Sequence, residues 1–286
     1  MTTSPALSGL CLLAACMAHA VHAAPAADNA AEPGSSAAGQ PLWEAGAFAL
    51  GGSQQAYPGS RQQVRSGLVL PYFIYRGQWV RAEQGSVGVR AARTEDLELD
   101  VGFAGSFGSA AKDNDARQGM PAIGWLAEFG PRLKWKLGAA PWGGGLVATL
   151  PVRGVFDMSH GLGFRGLAFE PTLAWGQRSA GWGYGASVSW VVGSQRLADT
   201  FYGVAPAFAT AARPAYEAKA GLIATRVALN LSRRLSPDWR FFAYARADSV
   251  GGAANANSPL VERRVGASAG VGLSWTWMRS EEAARP

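Results

Sequence analysis

Few residues in this 286-residue chain have the type and spacing to do chemistry. His160 follows Ser159, the pair a barrel-type lipid hydrolase would need as base and nucleophile. Adjacent residues on a strand point to opposite faces, so Ser159 is a poor nucleophile for His160, and the histidine reads as a loop residue. The stretch "GLGFRG" (161–166) spells G-x-G-x-x-G, but a dinucleotide site needs a helix N-terminus after it. An alternating, strand-like run over 167–175 comes next instead, so the glycines read as a hairpin turn. "KDNDARQG" (112–119) holds Asp113 and Asp115 without the glycine and closing glutamate of a calcium loop. Asn230-Leu231-Ser232 fits the glycosylation pattern only by chance, inside a strand. The two cysteines, Cys11 and Cys16, both lie near the N-terminus. Thiol catalysis, disulfides and Cys- or His-rich metal sites therefore lack donors once that segment is removed. We expect no cofactor and no enzymatic activity.

What remains is charge set in rows. Asp96, Glu98 and Asp100 alternate with Leu97, Leu99 and Val101. Arg132, Lys134 and Lys136 alternate with Leu133, Trp135 and Leu137. Glu170 shares a face with Gly166, Ala168, Thr172 and Ala174, opposite Leu167, Phe169, Pro171, Leu173 and Trp175. Arg or Lys facing lipid at mid-depth costs about 2–4 kcal/mol. If the apolar partners contact lipid, these seven charges must point into a lumen or lie beyond the membrane. Facing ladders could pair and close the interior or line a narrow polar path; a small barrel has little spare room, so we expect most of the charges to be paired.

The elements that hold these charges share one texture. In "VGASAGVGLSWTWM" (265–278) Val, Ala, Leu and Trp occupy one face, and Gly, Ser and Thr the other. A soluble sheet would show charge on its second face; small residues suit a crowded interior. Period two recurs in 96–108, 166–175 and 181–194, each about 10 residues, the length a tilted strand needs to cross a bilayer. Further strands are expected near 43–50, 64–76, 79–92, 122–137, 143–155, 216–233 and 237–249. That makes eleven, and closed bacterial barrels have even numbers. Segment 199–210 is a candidate missed strand, and the apolar phase slips inside 216–233. We expect an all-β, transmembrane antiparallel barrel of twelve strands, with ten as the alternative. Aromatics at strand ends (Tyr72, Phe73, Tyr75, Trp79; Trp239, Phe241, Phe242, Tyr244; Trp275, Trp277) suggest interfacial girdles.

Composition agrees. Charged residues make up only 16%, while 37 glycines and 11 tryptophans are high for a globular chain. The net charge of +6 is scattered, with acids among the bases, so the electrostatic footprint of a nucleic-acid binder is missing. No later segment offers ~18 continuous apolar residues for a membrane helix. The N-terminus, apolar from Leu7 to Met17 with Ala-x-Ala sites after it, reads as a signal peptide cut after Ala23. A lipoprotein box ending on Cys16 is the rival. Residues 24–41 form a flexible leader, 42–278 one barrel domain, and 279–286 a short tail.

Taken in order, "AYPGSRQQ", "LPYFIYRGQWV", "DNDARQGMPAIG", "AEFGPRL", "LPVRGVFD", "GLAFEPTLAW", "ADTFYGV", "RPAYEAKAGL" and "SPLVERRVGASAGVGLSWTW" make the chain resemble the MipA/OmpV family from about Leu42 to Trp277. The resemblance implies an outer-membrane β-barrel of a Gram-negative bacterium, in contact with outer-membrane lipid. It also implies a scaffold that binds a murein lytic transglycosylase and a class A penicillin-binding protein during peptidoglycan remodelling. The alternative function is a passive or gated pore for small solutes. The family brings no catalytic residues with it. Such barrels typically end on an aromatic residue, whereas here "MRSEEAARP" closes the chain.

Overall fold

The computed structural model describes residues 40–76, 80–83, 86–94, 96–106, 114–159 and 161–284, with backbone only at 80–93 and 102–106. The expected signal peptide, almost all of the leader, Trp79, Asp113 and His160 lie outside these residues. Thirteen strand segments succeed one another: β1 (Trp43–Gln55), β2 (Gln63–Arg76), β3 (Val80–Glu83), β4 (Ser86–Arg93), β5 (Leu97–Ser106), β6 (Leu126–Ala139), β7 (Gly145–Asp157), β8 (Gly163–Phe169), β9 (Thr172–Ser179), β10 (Trp182–Gly193), β11 (Gly221–Arg234), β12 (Trp239–Ser249) and β13 (Val265–Arg279). All pairings are antiparallel, and β13 pairs with β1, so the sheet closes on itself. β8 and β9 both lie between β7 and β10. They are one stave interrupted at Glu170-Pro171, where proline has no N–H to give a ladder. The ring therefore has twelve positions.

Several sequence expectations change. Segment 79–92 is not one strand but the two short ones, β3 and β4. Segment 199–210 is not a strand: a helix, α1 (Gln195–Tyr202), precedes a single 3-10 turn over Pro206–Phe208. The phase slip in 216–233 arises because Tyr216 belongs to a connector, bridged to Val204, and β11 begins only at Gly221. An irregularity between Val191 and Val192 adds one further residue of slip against β11.

The faces are inverted relative to a soluble sheet. On β13, Val265, Val271, Leu273, Trp275 and Trp277 are exposed, while Gly266, Ser268, Gly270, Gly272 and Ser274 are buried. Val69, Phe73, Leu150, Val152, Leu167, Leu173, Val227 and Leu229 are likewise exposed on their strands. Apolar groups covering a closed wall need hydrocarbon as their solvent, so the barrel spans a membrane. Trp239 stacks on Trp275 at 5.7 Å, and Trp43 on Phe73 at 6.1 Å, all near one end. Tyr72, Phe242 and Tyr244 leave the expected girdle. A Cβ on Gly272 would meet the Phe242 ring at 2.3 Å, and one on Gly270 would meet Tyr244 at 2.5 Å, so those rings lie flat on the bare inner wall. This explains why the second face of β13 is nearly empty: neighbouring aromatics fill the space.

The two ends differ. At one, short turns over 140–144, 180–181 and 235–238 join strands beside the first and last described residues. The Ala180-Gly181 turn has positive φ at both residues, the backbone a two-residue hairpin requires. Here the tail runs along the N-terminal residues rather than hanging free: Leu42 N–H donates to Glu282 O at 2.7 Å, and Pro41 bridges Ala283. At the other end, the connectors over 56–62, 114–125, 194–220 and 250–264 fold together. Their shared core of Tyr57, Leu197, Tyr202, Val204, Val250 and Leu260 is almost fully buried.

Candidate functional site: a charge-lined interior beneath a loop cap

The interior holds a belt of alternating charge carried by strands far apart in sequence. Glu128 stands on β6, Arg153 on β7, Glu170 in the β8–β9 break, Arg226 on β11, and Arg246 and Asp248 on β12. Arg153 Nε lies 3.3 Å from Glu128 Oε2, and its Nη2 lies 2.6 Å from Glu170 Oε2. Arg226 bridges Glu170 (Nη1–Oε1, 2.7 Å) and Asp248 (Nε–Oδ1, 2.7 Å). Arg246 Nε reaches Asp248 Oδ2 at 3.2 Å. Ser189 Oγ donates to Glu170 Oε1 at 3.2 Å. Three arginines and three carboxylates cancel. The break at Pro171 lets Glu170 meet both Arg153 and Arg226.

A second cluster sits on β5 and β6, where the register sets Glu98 opposite Lys134 and Asp100 opposite Arg132. Arg132 grips Asp100 with both Nε (2.8 Å) and Nη2 (2.6 Å), the bidentate geometry that favours an Arg–carboxylate pair. Lys134 Nζ lies 3.3 Å from Asp100 and 3.7 Å from Glu98. Lys136 stands opposite Val147. Asp96 is exposed in the bend before β5 and is not part of the strand; its carbonyl accepts from the Lys136 N–H. Of the seven charges picked out in sequence, Glu98, Asp100, Arg132 and Lys134 come together, and Glu170 joins the other belt. Glu128, Arg153, Arg226, Arg246 and Asp248 escaped notice. Their even spacing against Phe129, Val152, Val227 and Ala247 was the available signal.

Above the belt lies a void of about 90 Å³ bounded by Tyr57, Leu197, Glu170, Arg226, Arg246 and Asp248. The cap closes it from above. Arg213 ties two connectors together, donating from Nη1 to the carbonyls of Ala116 and Gln118, both at 3.0 Å, and from Nη2 to Phe208 O at 2.8 Å. Arg117, itself buried, donates to Phe201 O and Pro121 O. A second cleft, of about 620 Å³, opens between Arg117, Asp157, Arg165, Asp199, Tyr216 and Glu217. Ser159, paired in sequence with His160, is engaged elsewhere: its Oγ accepts from Trp125 N–H and its N–H donates to Asp157. Among the described residues no cluster of His, Cys, Asp and Glu could hold a metal ion.

Tyr57 anchors the cap, donating its phenol proton to Leu260 O at 2.7 Å. Burial, reinforced by nearby Glu262, pushes its phenol up to about 12, and burial raises Tyr202 as well. A neutral phenol is thus favoured in the folded cap. Its contribution is fully present below pH 10, where the unfolded chain is also neutral, and is lost as pH rises from 10 to 12. Tryptic cleavage of the cap is expected to accelerate across that window. The variant Tyr57→Phe should show a smaller alkaline rise; an identical profile would refute the assignment.

A family model described as MltA-interacting protein MipA matches residues 47–277. No curated relative matches the chain. Similar solved structures include an outer membrane channel from Pseudomonas putida F1, at 11% identity over 85% of this chain and 99% of that one, with a TM-score of 0.34. Outer membrane phospholipase A from Escherichia coli gives 11%, 82% and 93%, with a TM-score of 0.36. A FadL homologue from Pseudomonas aeruginosa gives 9%, 85% and 73%, with a TM-score of 0.30. Likenesses this distant carry nothing about activity.

Proposed function

The chain belongs to the family of the MltA-interacting protein MipA, and on that premise we propose that it is a scaffold in the outer membrane of a Gram-negative bacterium. Its partners are a murein lytic transglycosylase and, with it, a class A penicillin-binding protein. The observation that carries this reading is the closed upper interior: among the described residues, a neutral, paired charge belt and a packed cap bound a void of about 90 Å³. That favours a rigid holder over a conduit. Short turns and chain termini characteristically face the periplasm, and long connectors the exterior. On that orientation the murein enzymes meet the short-turn end. The protein acts by binding, without catalysis or cofactor.

Affinity purification of the tagged, detergent-solubilised protein from envelopes is expected to recover a murein lytic transglycosylase. Recovery of none, from envelopes that contain the enzyme, overturns the scaffold reading. A pore remains the rival function, and it requires the cap to leave the lumen.

A further inference from the structure

Among the described residues, charge in the short-turn half of the lumen is not balanced all round. Glu44 pairs with Arg76 at 2.9 Å, and the β5–β6 cluster neutralises itself. Across the ring, three arginines on β9, β11 and β12 share the inward register of buried residues. Arg178 follows Ala174 and Gly176 on β9, Arg234 follows Asn230 on β11, and Arg240 precedes Arg246 and Asp248 on β12. Arg234 stands directly opposite Arg240 in the ladder. Like charges placed so repel. None of the three makes an ion pair or a side-chain hydrogen bond among the described residues. Between Arg178 and β11, the inward positions of β10 are Gly183 and Gly185, and Ser232 Oγ fills the space beside Gly183.

We propose that Arg178, Arg234 and Arg240 form a receiving site for a carboxylate-rich, extended peptide segment entering the short-turn mouth of the barrel. It rests on the scaffold reading and specifies its contact: the segment belongs to the periplasmic partner. Three features select this occupant. The site faces inward, so lipid headgroups do not reach it; the outward cation nearby, Arg233, lies over Trp182 at 4.8 Å, where a headgroup contact belongs. Arg178 stands level with Ser232, two residues along the stave from Arg234. Same-side residues of an extended peptide repeat at about 6.6 Å, the spacing of two residues along a strand. Arginine also takes carboxylate in a bidentate grip that a diffuse cation does not offer.

The full chain in zwitterionic detergent at low salt is titrated against fluorescein-labelled oligoglutamate, read by anisotropy. Wild type is expected to bind, and the variant R178Q/R234Q/R240Q at least tenfold more weakly. Arg233→Gln should bind as wild type does, and rising salt should weaken binding. Removing the opposed pair relieves repulsion, so the triple variant should fold, which its shift in gel mobility on boiling would show. Equal binding by the triple variant overturns the site, as does failure of wild type to bind. Displacement by inorganic phosphate at equal charge overturns a peptide receptor in favour of a simple anion site. Co-purification separates the two levels. If both proteins retain a transglycosylase equally, the scaffold stands and the mouth site falls; if wild type recovers none, the scaffold falls whatever the peptide does.

Discussion

Replacing Arg226 with methionine is expected to destabilise the barrel by about 3–5 kcal/mol, because removing one member of a buried ion pair strands its partners. Arg226 holds Glu170 through Nη1 and Asp248 through Nε, both at 2.7 Å. Asp248 is 2% exposed, so its carboxylate depends on Arg226 and Arg246 rather than on bulk solvent. Arg246 would still face Asp248, and Arg153 would still face Glu170, so the loss is not the full desolvation of two carboxylates. The measurement is the shift in urea midpoint of the protein folded in lipid, followed by tryptophan fluorescence. Adding Asp248→Asn to Arg226→Met should recover part of the loss, since a neutral amide costs less to bury than an orphaned carboxylate. A single-variant change below about 1 kcal/mol would mean that the belt is open to solvent, contrary to its burial.

The second large effect concerns the cap. Tyr202 is wholly buried, stands edge-on to Tyr57 at 6.5 Å, and donates to Pro58 O at 3.0 Å. Ser258 Oγ donates to the Tyr202 carbonyl at 2.8 Å, which links the 194–220 and 250–264 connectors. Truncating a buried aromatic to alanine costs about 3–5 kcal/mol. Here that loss falls on the cap, while the hydrogen-bonded wall stays intact. Tyr202→Ala should therefore raise local opening by roughly a hundred- to several-thousandfold, given tenfold for each 1.4 kcal/mol. Limited trypsinolysis should cut near Arg196 and Lys219 far faster, with no change in heat-modifiable mobility. Planar-bilayer recording of the same variant separates the two functions. Silence in both wild type and variant fits a scaffold whose charge belt closes the lumen. Steady conductance that only the variant shows would make the cap a gate and the pore the better reading.

The residues alone determined which side of each long strand faces lipid. Alternation is a local property: successive side chains project to opposite faces whatever the neighbours are, so Val265, Val271 and Leu273 declare an apolar wall without reference to any other strand. The same logic placed Asp100, Arg132 and Glu170 away from that wall. It failed where local pattern is ambiguous. Trp239 and Phe242 are both aromatic and near a strand end, yet Trp239 faces outward and Phe242 lies over Gly272, because only the ladder sets a ring beside a glycine. Gln195–Tyr202 is too short to announce a helix and folds as one against the other cap connectors. Which charges meet was likewise beyond reach of the sequence. Glu170 finds Arg226 because the stave breaks at Pro171 and because ring closure brings β7, β10, β11 and β12 around one lumen. Register and closure are fixed by hydrogen bonds between strands remote in the chain, and a periodicity read along one strand holds no information about its partner's alignment.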